Sequence, residues 1–130
     1  MERLTERLTE ASQALATLQA LLSPRNDIER DAAILRFSYT FEAVWKAARQ
    51  YLADIEQDDV ASPGSTIRRC RAHGILSDVQ ADAAMNVAKD RNFIVHIYRE
   101  GLAKELAARL PLHAALMATW LAALRARVTA

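Results

Sequence analysis

The sequence predicts an all-α protein, an antiparallel up-and-down four-helix bundle with an additional short helix. Three observations point there. Alanine and leucine, both strong helix formers, dominate a chain that is 52% apolar and 25% charged. Only 3 glycines and 3 prolines interrupt 130 residues, a balance that disfavours a β-sandwich or a disordered tail. Apolar residues also recur at steps of three and four through much of the chain, the spacing of a helix that turns one face to a core.

The elements follow in order. Leu4, Leu8, Ala11, Leu15, Leu18 and Leu22 mark a first amphipathic helix that should stop at Ser23-Pro24, because a residue before proline is pushed out of the helical region. Asn26 or Asp27 caps a second, whose stripe of Ile34, Phe37, Phe41, Val44, Ala48, Tyr51 and Ile55 is the longest in the chain. Leu35, Trp45 and Leu52 widen that stripe, so this helix is expected to be central or to lie at a subunit contact as well. Ser62 with Pro63 starts a short third helix and Gly74 ends it.

Ser77-Asp78 caps a fourth helix that is expected to run through Ala81, Ala84, Val87 and Ala88 as far as Tyr98. Its apolar stripe of Phe93, Ile94 and Ile97, extended backwards, meets Asp90 and Asn86. The helix must therefore change its buried face near residue 90 or pack between two neighbours. Gly101 permits a break, after which Leu102, Leu106, Leu110, Met117, Trp120, Leu121 and Leu124 form a last helix that Pro111 should kink or split. Neither a repeat nor a linker divides the chain, so residues 1–130 are expected to form a single domain.

Charge and composition narrow the function. A net charge of +1 is too mild to mark a dedicated nucleic-acid protein by itself. A single cysteine, Cys70 among Arg68, Arg69 and Arg71, forms no internal disulfide, suits a cytoplasmic setting and is assigned no chemistry. The charged N-terminus is unlike a signal peptide and no apolar run suggests a membrane span, so a soluble cytoplasmic protein is expected. His73, His96 and His113 fall on different predicted helices, which argues against a metal site. Glycines at 64, 74 and 101 make no phosphate-binding loop. No cofactor is expected.

The chemistry that remains lies in Arg91-Asn92-Phe93-Ile94-Val95-His96-Ile97-Tyr98. At about 3.6 residues per turn, Asn92 and His96 share one face of a helix, and Arg91 and Tyr98 the adjoining one. This set suits metal-free cleavage of a phosphodiester. RNA brings its own nucleophile, the 2′-hydroxyl; His96 can move its proton, Arg91 can grip the phosphate, Asn92 can orient His96, and Tyr98 can donate a hydrogen bond or receive a group. Spacing alone favours a plain reading over this one, with the arginine in a surface ion pair, Asn92 and His96 solvated and Tyr98 on a core margin.

Arg91-Asn92 followed by His96 and Tyr98 resembles the motif of HEPN-domain proteins, in the form with a following tyrosine found in HepT-like toxins. Arg36-Phe37-Ser38-Tyr39-Thr40-Phe41-Glu42-Ala43-Val44-Trp45-Lys46 with Tyr51-Leu52 resembles the second-helix signature of the branch called nucleotidyltransferase substrate-binding proteins. Gly74-Ile75-Leu76 with Asp78 sits where that branch has a step before the motif helix. In two places the sequence departs from the branch: Ala84 stands where a tryptophan is frequent, and Arg99-Glu100 replaces a more acidic pair.

The resemblance implies a HEPN-like homodimer with the motif helices near the two-fold, and a minimal nucleotidyltransferase as partner. In the toxin–antitoxin form it implies a metal-independent ribonuclease with Arg91 and His96 catalytic, Asn92 in support, and Tyr98 both lining the site and receiving AMP from the antitoxin. RNA is then the substrate, and paired copies of Arg91, Lys89 and Arg99 are expected to supply positive field in the dimer cleft. The alternative is a non-catalytic module that docks the nucleotidyltransferase and presents its substrate.

Overall fold

A computed structural model describes residues 2–96 and 99–129, apart from the Glu100 side chain. It is a helical bundle: α1 (Glu2–Gln19), α2 (Asp27–Asp54), α3 (Pro63–Ala72), α4 (Asp78–Phe93) and α5 (Glu100–Thr129), with a 3₁₀ turn at Ile94–His96 between the last two. The four long helices and the short α3 match the expected set. α2 packs against all four other α-helices, as its wide apolar stripe implied.

Local chemistry sets most boundaries. Asn26 caps α2 by accepting the Glu29 backbone N–H at 2.9 Å. Ser62 with Ser65 and Ser77 with Gln80 form reciprocal capping boxes at the starts of α3 and α4, each satisfying backbone donors that a helix end leaves free. After α3 the chain reverses through Gly74 at φ +74°, a conformation that costs a residue with a Cβ more than glycine. α1 ends at Gln19, earlier than Pro24 alone required, leaving room for a turn before the Asn26 cap.

The core holds Leu4, Leu18, Phe37, Phe41, Tyr51, Leu106, Leu110, Met117 and Trp120, all essentially inaccessible. On α2 the expected stripe is buried from Ile34 to Tyr51, with Trp45 and Leu52 beside it, but Leu35 is 64% exposed. Counting about 100° per residue from the core, Leu35 falls on the solvent side with Ile28 and Tyr39. Arg125 ties α5 to α1 by donating to the Ser12 hydroxyl at 2.6 Å and the Leu8 carbonyl at 3.2 Å.

Pro111 does not split α5. It lies on an exposed face, where solvent can serve the carbonyl left without its usual N–H partner. α5 is also more apolar than expected: an 18-residue window within Gly101–Thr129 has mean hydropathy 1.3, long and apolar enough to cross a membrane by those two measures. Leu106, Leu110, Met117, Trp120 and Leu124 nevertheless pack in the core of the bundle.

The carboxylate that interrupted the α4 stripe has partners. Asp90 lies between α4 and α5, accepting from Arg109 through both oxygens at 2.7 and 3.1 Å and from His113 Nε2 at 2.7 Å. The buried face of α4 thus runs past residue 90 with its one charge compensated, while Asn86 stays exposed.

Candidate functional site

Beside the core stripe of α2, Glu42 with Trp45, Glu42 with Lys46, and Trp45 with Arg49 are three or four residues apart, so each of these pairs can touch along the helix. Trp45 Nε1 donates to Glu42 at 3.2 Å, the Lys46 ammonium lies 3.3 Å from the same carboxylate, and the Arg49 guanidinium sits 4.9 Å from the centre of the Trp45 ring. Across the seam, Arg91 of α4 donates to Glu42 Oε2, making an ion pair between the two helices. Burial pulls the Glu42 carboxyl upward, but the Trp45 indole and the charges of Arg91 and Lys46 together hold it below its ordinary value.

Arg91 is fixed on a second side by its neighbour. Its Nη1 points at Asn92 Oδ1 at 3.4 Å, a long contact. The Arg91 side chain keeps 30% of its surface open; since a guanidinium carries five N–H donors, several remain for a ligand.

The C-terminal part of the motif departs from expectation. α4 ends at Phe93, where the Ile94 N–H turns back to the Arg91 carbonyl, and Ile94–His96 continues as a 3₁₀ turn. With about three residues per turn, His96 comes over Phe93 instead of Asn92; their ring centroids are 5.9 Å apart at 54°. Phe93 is accordingly 41% exposed and no core anchor, whereas Ile94 packs against the core. Asn92 and His96 are both exposed, and among the described residues His96 has neither a hydrogen bond nor an ion pair. Ile97 and Tyr98 lie outside the described residues.

Of the four motif residues, then, the structure brings Arg91 and Asn92 together and sets His96 about a turn further on, against Phe93. Lys89 goes elsewhere. Two residues from Arg91 and about 200° round the helix, it lines a cavity of about 310 Å³ on the α5 side with Asn86, Asp90, Arg109, Leu112 and His113. Glu42 was missed as a site residue. It stands inside the second-helix signature, and that overlap was the available signal.

Among the described residues no three potential metal-ligating side chains gather. Cys70 is buried, and burial pushes its thiol up to about 11.

A family model described as nucleotidyltransferase substrate binding protein like matches residues 2–126, the signature and motif helices included. The chain belongs to this nucleotidyltransferase substrate binding protein-like family. A crystal structure of a protein from Thermus thermophilus is similar in sequence and fold, with 46% identity over 88% of this chain and 98% of that one and a TM-score of 0.85. No curated protein matches. Glu42 on α2 and Arg91 on α4 join the signature segment to the motif segment by an ion pair. Ala84, where the branch frequently carries tryptophan, is fully buried, so a larger side chain there would require α4 to stand further from its neighbours.

Proposed function

We propose that this protein is a metal-independent endoribonuclease, a HepT-like toxin of the cytoplasm that works as a homodimer and is silenced by a minimal nucleotidyltransferase. What supports the reading is an open imidazole, His96, close in sequence to a guanidinium held at a fixed place on the helix seam, Arg91. Neither group serves the core. His96 takes the proton of a ribose 2′-hydroxyl, whose oxygen attacks the adjacent phosphorus. Arg91 stabilises the added charge on the phosphoryl oxygens, and Asn92 keeps Arg91 in place. The bond from phosphorus to the 5′-oxygen breaks, that oxygen takes up a proton from water, and the upstream fragment ends in a 2′,3′-cyclic phosphate.

Silencing would follow from transfer of AMP from ATP to the Tyr98 hydroxyl, with pyrophosphate released, which sets a charged group inside the cleft. The test is induced expression without the partner, comparing wild type with an Arg91→Ala, His96→Ala double variant at matched level and fold. Growth arrest by wild type alone, with cyclic-phosphate RNA ends, is expected. A folded wild-type protein that neither arrests growth nor cleaves RNA overturns the proposal. The family description itself favours one second reading, a non-catalytic partner of the nucleotidyltransferase; a stable complex with that enzyme from a cleavage-inactive wild type would support it.

A further inference from the structure

The nuclease reading leaves a problem of charge, because a chain of net charge +1 has little general attraction for a polyanion. Its charges, however, are unevenly placed. Across the α2–α4 seam Glu42 contacts both Lys46 and Arg91, and Trp45, bonded to the same carboxylate, carries Arg49 on its ring. Two cations on one carboxylate, and a third on the indole bonded to it, leave an excess of two positive charges. These are not freely swinging surface groups: the Lys46 and Arg91 side chains are only 35% and 30% exposed, and Arg49 is half-buried. Among the described residues Arg49 has no carboxylate partner. Holding like charges together in this way carries a repulsive cost that an incoming anion relieves.

We infer that Lys46 and Arg49 form a phosphate-backbone track on α2 that leads single-stranded RNA to Arg91. The inference rests on the nuclease reading and extends the site beyond the motif to a second helix. Lys46 and Arg49, one turn apart, would contact successive phosphates, and Glu42 with Trp45 are positioning residues that hold the cations at the seam. Recognition along such a track is indifferent to base sequence.

The test measures binding of a mixed-sequence single-stranded RNA oligonucleotide against salt concentration in a His96→Ala background, and cleavage in the His96 protein. With two phosphate contacts removed, the Lys46→Gln, Arg49→Gln variant should lower the slope of log affinity on log salt by about 1.4. In the cleavage assay KM should rise by about tenfold, with the loss in kcat/KM carried mainly by KM. A Lys46→Arg, Arg49→Lys exchange should restore the slope, and Arg3→Gln, exposed on α1, should leave it unchanged. An unaltered slope in the double glutamine variant, or an equal fall with Arg3→Gln, overturns the track while leaving the nuclease standing. RNA binding that follows these slopes without any cleavage upholds the track and overturns the nuclease. A wild type that neither binds nor cleaves RNA overturns both.

Discussion

Asp90 and Arg91, adjacent on α4, hold that helix to two different neighbours: Asp90 accepts from Arg109 and His113 of α5, and Arg91 donates to Glu42 of α2. About 100° separates consecutive side chains on a helix, so one peptide unit can serve two seams. The pairs differ in what they leave open. His113 is buried and stacked on Phe37 at 5.4 Å, whereas Arg91 and Glu42 each keep about a third of their side-chain surface. At the Asp90 seam the open group is Arg109, with 45% of its side chain exposed, while Asp90 and His113 are largely enclosed.

Replacing Asp90 with Asn should destabilise the fold by about 2 kcal/mol, because the negative charge facing Arg109 and His113 is removed and one of the two acceptor oxygens becomes a donor. Burial raises the Asp90 carboxyl, but those two partners outweigh it and hold the carboxyl below its ordinary value. A depressed folded value means that the pair stabilises above the unfolded value of about 3.9 and that this contribution is lost as pH falls through the folded one. Urea unfolding between pH 7 and pH 3 should therefore show a steeper acid loss for wild type than for Asp90→Asn; parallel curves would contradict the assignment.

The Trp45 indole should report the state of Glu42, to which it donates. As pH falls through the depressed folded value of Glu42, its anchoring of Trp45 and Arg91 weakens, and Trp45 emission should change. Emission titrated with acid, compared with Glu42→Gln and Trp45→Phe, isolates the signal from the buried Trp120. A transition that persists in Glu42→Gln would point to another group.

Two glycine substitutions should have opposite signs. Gly74→Ala places a Cβ on a residue at φ +74° and should cost about 1 kcal/mol. Gly101→Ala, at the start of α5 with nothing within 4 Å of the added carbon, should stabilise by up to about 1 kcal/mol. Thermal unfolding of the two variants separates backbone strain from packing.

Cys70 should resist alkylation in the folded protein. Its thiol is buried and held near 11, so little thiolate is present at neutral pH. Iodoacetamide should modify it only after unfolding; rapid labelling of the native protein would show that the α3 region opens.

What could be read from the sequence was mostly local. Asn26, Ser62 with Pro63, Ser77 and Gly74 set the helix boundaries through bonds within a few residues of themselves, and such bonds leave a pattern in the chain. The Glu42–Arg91 pair spans 49 positions and leaves no local pattern, so apart from its place inside the second-helix signature Glu42 looked like any polar residue beside a stripe. The two seams of α4 explain why its periodicity seemed contradictory at Asp90. Leu35 and Phe93 were placed inward as members of apolar stripes on α2 and α4; both lie on exposed faces of their helices. The candidate site was thus legible in composition and order, and its geometry was not, because the change from α to 3₁₀ winding at residue 94 carries His96 away from Asn92 and over Phe93.

The double attachment at residues 90 and 91 also limits how the motif can be disturbed. α4 cannot slide along α5 or roll on α2 without opening one clasp, so the motif arginine keeps its register only while both hold. Injury to the far clasp, at His113 or Arg109, would then be felt at Arg91 as lost alignment even where the bundle stays folded. The positions most able to detune the arginine without touching it lie on the helix that follows the motif.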